Sequence, residues 1–100
     1  MEVKIRQIMP CNEELYVAEE SIDDYTVNVF KVRMWALLDL DDIGGAICPV
    51  TIQYNEMYPI EQKDNLGIFK NKEEFKEFFK EFKKKKIKKE KIKYKSNWIG

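Results

Sequence analysis

The side chains of this chain best suited to chemistry lie near its C-terminus. Lys83, Lys84, Lys86, Lys89, Lys93 and Lys95 are interleaved there with Ile87, Ile92 and Tyr94, and Trp98 follows. Ammonium groups neutralise phosphates without reading a sequence, and aromatic rings offer faces on which bases stack. The pattern suits an acidic partner such as nucleic acid. Base-specific contacts favour arginine, however, and Arg6 and Arg33 both lie outside the run. A lysine-rich helix face also serves simply as solvated surface.

Catalytic chemistry finds fewer residues to work with. The chain has no histidine, which removes the commonest general base near neutral pH, the commonest transition-metal ligand and every histidine-dependent triad. Cys11 and Cys48 have no partner at C-x-x-C spacing and are too few for a disulfide framework. Each reads as a small buried hydrophobe. Asp39-Leu40-Asp41-Asp42-Ile43-Gly44 has carboxylates at positions one and three and glycine at six of a calcium loop. Position five is Ile43 and position twelve is Val50, so an acidic hairpin turn is the better reading. Gly44-Gly45 lacks the spacing and the following Lys-Ser/Thr of a phosphate loop. Paired carboxylates such as Glu13-Glu14, Glu19-Glu20 and Asp23-Asp24 read as solvated acidic loops. We expect no enzyme, no metal and no cofactor.

The elements that must carry these residues divide the charge between them. The formal net charge is zero, with 18 basic and 18 acidic residues. From Met1 to Phe69, 13 carboxylates outnumber 5 basic residues, a net of −8; from Lys70 to Gly100, 13 lysines outnumber 5 glutamates, a net of +8. Opposite fields of this size attract one another and complementary partners, over a screening length of about 8 Å. One hundred residues with 44% apolar composition support a single domain over residues 1–100, with an acidic β-rich body at 1–69 and a basic helix and tail at 70–100. No apolar run approaches the roughly 20 residues of a membrane span, and the N-terminus carries no secretory signal pattern. A cytoplasmic location without membrane contact is expected.

Val3 and Ile5 alternate with Lys4 and Arg6, the period of a half-buried strand that ends near Met9 before Pro10-Cys11-Asn12. Leu15 to Ala18 reads as a second strand, and a hairpin of these two is expected. Tyr25 to Leu40 is the strongest strand pattern. Phe30, Val32, Met34, Ala36, Leu38 and Leu40 share one side; Val29, Lys31, Arg33, Trp35, Leu37 and Asp39 share the other. Sixteen residues exceed ordinary strand length, so a bulge or bend is expected within them. Asp41 to Gly45 then turns into a second hairpin with Ala46 to Tyr54, where Pro49 argues for an edge strand or bulge. Asn55 to Gly67 reads as a polar connection.

The helix is the clearest element. Asn71 and Glu74 have the spacing of a cap, and Phe75, Phe78, Phe79 and Phe82 form one stripe that a sheet must cover. The helix starts near Lys72 and ends before Lys91, and a last strand over residues 91–96 pairs back on the sheet, with Trp98 and Ile99 capping the core. The fold class is α+β: a curled antiparallel sheet, barrel-like, of four to five strands with one C-terminal amphipathic helix.

Ile5-Arg6-Gln7-Ile8-Met9-Pro10, Glu14-Leu15-Tyr16-Val17, Val32 to Leu38 and Cys48-Pro49-Val50 together resemble small uncharacterised proteins of bacteriophages and mobile elements of low-GC Gram-positive bacteria. The resemblance implies a short accessory protein that inhibits or adapts a host protein, and it carries over no functional residue. The first reading is therefore a non-catalytic protein-binding module. The alternative is a nucleic-acid-binding protein using Lys83, Lys84, Lys86, Lys89, Lys93, Tyr94, Lys95 and Trp98.

Overall fold

The alternation from Tyr25 to Leu40 forms the spine of the fold. The computed structural model describes residues 4–21, 23–40, 44–90 and 93–99, with the backbone alone at 40, 44 and 86–90. Its strands are β1 (Lys4–Pro10), β2 (Tyr16–Ser21), β3 (Thr26–Lys31), β4 (Met34–Leu40), β5 (Gly44–Gln53), β6 (Glu56–Pro59), β7 (Asn65–Phe69) and β8 (Lys95–Ile99). Helix α1 (Lys72–Glu90) lies between the last two. The fold class is α+β, as the sequence indicates: a curled, half-barrel antiparallel sheet, a second sheet and one helix.

The expected bend in the long strand falls at Val32–Arg33, where the chain changes sheets. The Val32 N–H donates to the Leu15 carbonyl and the Arg33 N–H to the Val50 carbonyl, both at 2.9 Å, so backbone pairing continues through the corner. A strand that bends in this way joins two sheets without a loop. One sheet has the order β1-β4-β5-β6 and the other β7-β2-β3-β8.

The expected hairpin of the first two strands does not form. β1 pairs with β4 from Lys4↔Asp39 to Pro10↔Met34, and β2 pairs with β3 from Tyr16↔Lys31 to Ser21↔Thr26. Both face the same long strand, one beyond the other, and the described turn residues of this long bent hairpin are 23–25. The Pro10-Cys11-Asn12 turn residues form an excursion at the corner, where the chain needs extra length. The expected second hairpin pairs β4 with β5, Leu40↔Gly44 to Met34↔Val50, although its acidic turn at 41–43 lies outside the described residues.

Pro49 sits in a strand flanked on both sides, because the connection read from Asn55 to Gly67 contains β6 and most of β7. Its position is still edge-like. β6 ends at Pro59, opposite Val50, and the Ile60 N–H donates to the Pro49 carbonyl at 2.9 Å. The nitrogen and carbonyl of an extended residue point to the same side, so the absent donor faces past the end of β6 and costs no bond to β4.

β8 runs parallel to β3, with Trp98 opposite Val29, and occupies residues 95–99; of the expected 91–96, residues 93 and 94 precede the strand and 91–92 lie outside the described residues. β2 is antiparallel to both β7 and β3, so β7 and β8 point the same way. Helix α1 crosses over the sheet between them. Asn71 Oδ1 accepts from the Glu74 N–H at 2.9 Å and Glu74 Oε1 accepts from the Lys70 N–H at 3.1 Å, which satisfies two backbone donors around the helix start. The phenylalanine stripe lands on Ala18, Val27, Val29 and Phe69, with Phe75 only 4% exposed at the centre. A Cβ at Gly67 would stand 2.9 Å from Phe69 Cζ, so this position must lack a side chain for the Phe69 ring to lie over it.

Phe30, Val32, Ala36 and Leu38 are all buried and Met34 is half-buried, so this side of the long strand faces the interior from Phe30 to Leu38. Val17 and Ile60 join Phe30 and Val32, while Cys48 and Val50 join Ala36 and Leu38 on the curled sheet. The other side departs from the simple in-out pattern. Val29 is also fully buried, because α1 covers the second sheet there, so β3 buries apolar residues on both faces, Val27 and Val29 on one and Phe30 on the other.

Candidate functional site: two surfaces of opposite charge

The basic segment divides into anchored rings and outward ammonium groups. Trp98 packs 4.5 Å from the Tyr16 ring and 5.9 Å from Phe75, with the Lys72 ammonium 5.4 Å from its centroid. Tyr94 meets Phe82 edge-on at 5.1 Å and Tyr25 at 5.8 Å, and its hydroxyl donates to Glu20 Oε2 at 2.8 Å. Both expected stacking residues thus have rings engaged in the cluster that docks the helix.

The lysines lie outside it. Lys84 is exposed and pairs with Glu81 at 3.4 Å, one turn away on the same helix. Lys83 is half-buried, its ammonium 4.8 Å from the Phe79 ring centroid. Lys93 and Lys95 are exposed, and the Lys95 N–H donates to the Tyr25 carbonyl at 3.1 Å. Lys86 and Lys89 fall within α1, with side chains outside the described residues. Among the described residues the ion pairs are Lys84–Glu81 and Lys63–Glu61, and neither joins the helix to the acidic sheets. Exposed pairs of this kind contribute about 1 kcal/mol at most. The described contacts that hold the helix to the sheet are those of its rings with Ala18, Val27, Val29 and Phe69.

The second surface is the β5–β6 hairpin. Gln53↔Glu56 closes a two-residue loop, and Tyr54 and Asn55 have φ of 54° and 64°. Positive φ at both loop positions is the signature of the type I′ turn, whose twist matches the flanking strands. Asparagine tolerates that region readily. A bulky tyrosine costs about 1–2 kcal/mol there. Tyr25 has the same conformation, φ 51°, but its ring packs on Tyr94 and its carbonyl accepts from Lys95. Tyr54 is 97% exposed and makes no hydrogen bond or ring contact among the described residues.

Ile47, Ile52, Met57 and Tyr58 are also exposed, so among the described residues five of ten exposed large hydrophobic side chains belong to residues 44–59. Ile52 pairs directly with Met57, which places both on one face beneath the loop. From Met34 to Gln62 the sequence contains no lysine or arginine and five carboxylates. Ile47 and Tyr58 share the face of Thr51, opposite to that of Ile52 and Met57, and the charged residue beside the loop is Glu56. The sequence reading took 55–67 as a connection and missed this hairpin. The available signal was the Tyr54-Asn55 pair between Val50-Thr51-Ile52 and Met57-Tyr58, an asparagine-containing turn between two short β-prone runs.

Two clefts accompany these surfaces. One, of 170 Å³, lies between Trp35, Ile47, Pro49, Ile60 and Ile68, below the roughly 300–1,000 Å³ of ligand pockets. The other, of 410 Å³, is an open polar depression at the corner between Glu13, Glu14, Lys31 and Arg33. Tyr16 bonds Glu14 nearby at 2.7 Å, and that carboxylate pushes the phenol upward from its ordinary range. Both cysteines are free. Burial and the Glu61 carboxylate push the Cys48 thiol upward, against the opposing effect of the Gln62 backbone, so it is disfavoured as a thiolate nucleophile. Among the described residues no group of three or more Cys, Asp or Glu side chains is placed to hold a metal ion, and no helix is long and apolar enough to cross a membrane.

No protein-family model, curated protein or solved structure matches this chain.

Proposed function

We propose that this chain is a non-catalytic protein-binding module, an inhibitor or adaptor of a host protein of the kind its resemblance to bacteriophage and mobile-element proteins implies. The observation that carries the reading is the exposure of Ile52, Tyr54, Met57 and Tyr58 at the β5–β6 hairpin, with Ile52 and Met57 adjacent on one face beneath the loop. Isolated surface hydrophobes are ordinary, whereas a cluster that includes tyrosine and methionine has the composition of a contact surface. The fields around it add speed and selectivity to an encounter with a complementary protein. Affinity purification from extract of the source cell, at low and at physiological salt, tests the reading. It expects one protein recovered in stoichiometric amount, and recovery of background alone sinks it.

Nucleic-acid binding is the second reading, favoured by the exposed Lys76, Lys80 and Lys84 at helical spacing on the outer face of α1. It ranks lower because Tyr94 and Trp98, its stacking residues, are packed against the sheet and helix. What remains to it is phosphate neutralisation by lysine, whose affinity falls steeply with salt. A titration with single-stranded DNA across salt concentrations separates the two readings.

A further inference from the structure

We infer that Tyr54 is the anchor of this protein's interface, inserting on binding into an apolar pocket that basic side chains surround on a protein partner. The inference rests on the protein-binding reading above and names the residue and the partner's chemistry.

Three observations converge on it. Tyr54 occupies a backbone conformation that disfavours its side chain, and no described contact within the molecule offsets this, in contrast to Tyr25. Uncompensated strain at an exposed position points to a use outside the fold. Tyrosine is also among the commonest interface anchors, since it brings a large rigid ring at small entropic cost. Ile52 and Met57 below it form the apolar collar that excludes water around such an anchor. Charge then selects the partner: Glu56, exposed in the loop-closing pair, is the one charged residue of the sequence from Val50 to Ile60. A basic rim attracts this surface, and an acidic one repels it.

The edges of the curled sheet, β1 and β6, support docking by side chains rather than by strand addition there. β1 carries Lys4, Arg6, a register shift between Ile5 and Gln7, and Pro10, which are the devices that keep an edge from pairing with another chain. β6 is only four residues long and ends at Pro59.

A photo-cross-linking residue, p-benzoylphenylalanine, placed at position 54 in the full chain tests the inference, with position 76 on the outer face of α1 as control. Extract of the source cell supplies the partner. The expected result is a cross-link from position 54 to a protein segment with an excess of lysine and arginine. The same protein, purified, then binds the Tyr54→Ala chain at least about tenfold more weakly than the parent. Tyr54→Gly loses binding equally while its melting temperature stays the same or rises, because glycine accepts the positive φ. A partner that cross-links at 76 but not at 54, or that binds Tyr54→Ala within about twofold of the parent, overturns the anchor and leaves the protein-binding reading standing. A cross-link to an acidic segment or to a second copy of this chain also overturns it. No cross-link from either position, together with background recovery by affinity purification, overturns both.

Discussion

Glu19 is a carboxylate whose surroundings work against its charge. Partial burial on β2 and the nearby Asp64 both raise its pKa above the ordinary 4.5. The folded state therefore holds this proton more tightly than the unfolded chain does. The stability this adds is complete below about pH 4.5 and is lost as pH rises through the raised value. Glu19→Gln is accordingly expected to be more stable than the parent at neutral pH, with an advantage that shrinks on acidification. Urea unfolding at about pH 3.5 and pH 7 measures this, and an advantage independent of pH would contradict it. Cys48 gives a second readout at the same scale, since its thiol is buried and pushed upward. It should react with a thiol reagent much more slowly than half-buried Cys11, and the difference should vanish in denaturant.

Helix α1 has separable supports, and each has its own cost of removal. Asn71→Ala deletes the side-chain acceptor for the Glu74 N–H and should cost about 1 kcal/mol. Phe75→Ala opens the centre of the aromatic cluster and should cost about 3–5 kcal/mol, well above Phe82→Ala at a half-exposed position. Denaturant midpoints at constant slope check the order, and equal losses at Phe75 and Phe82 would argue against a centred core. This helix was legible in the sequence because its cap and its i, i+3, i+4, i+7 stripe are local patterns. The same holds for the interior side of Phe30 to Leu38. What local pattern could not supply is partnership. Nothing in the alternation of residues 25–40 says that Val32 bonds Leu15 while Arg33 bonds Val50, and so nothing divides the strand between two sheets. β6 and β7 escaped because one has only four residues and the other contains Gly67, whose role depends on the ring of Phe69. β8 was placed too early because Ile92-Lys93-Tyr94-Lys95 alternates convincingly, whereas its register is set by Trp98 opposite Val29. Of the candidate site, the lysines were legible by type. The packing of Tyr94 and Trp98, and the strain at Tyr54, belong to the folded chain alone.

The molecule as a whole is electrically divided, with −8 in residues 1–69 and +8 in residues 70–100. Each part carries a strong field that acts on other molecules, including further copies. Near neutral pH the net charge is zero, and no overall repulsion keeps copies apart. Light scattering should therefore show net attraction at low ionic strength that weakens as salt is added. A response to salt of the opposite sign would assign the attraction to the apolar hairpin instead. The division also follows the order of connection: the curled sheet is complete by Pro59, whereas the second sheet takes its outermost strand from Lys95–Ile99. Residues up to 59 contain every strand of the first sheet, while the β3 edge of the second stays open until residues 95–99 have followed. During synthesis the first sheet can therefore complete its pairing before the second, and the two halves of the fold need not close together.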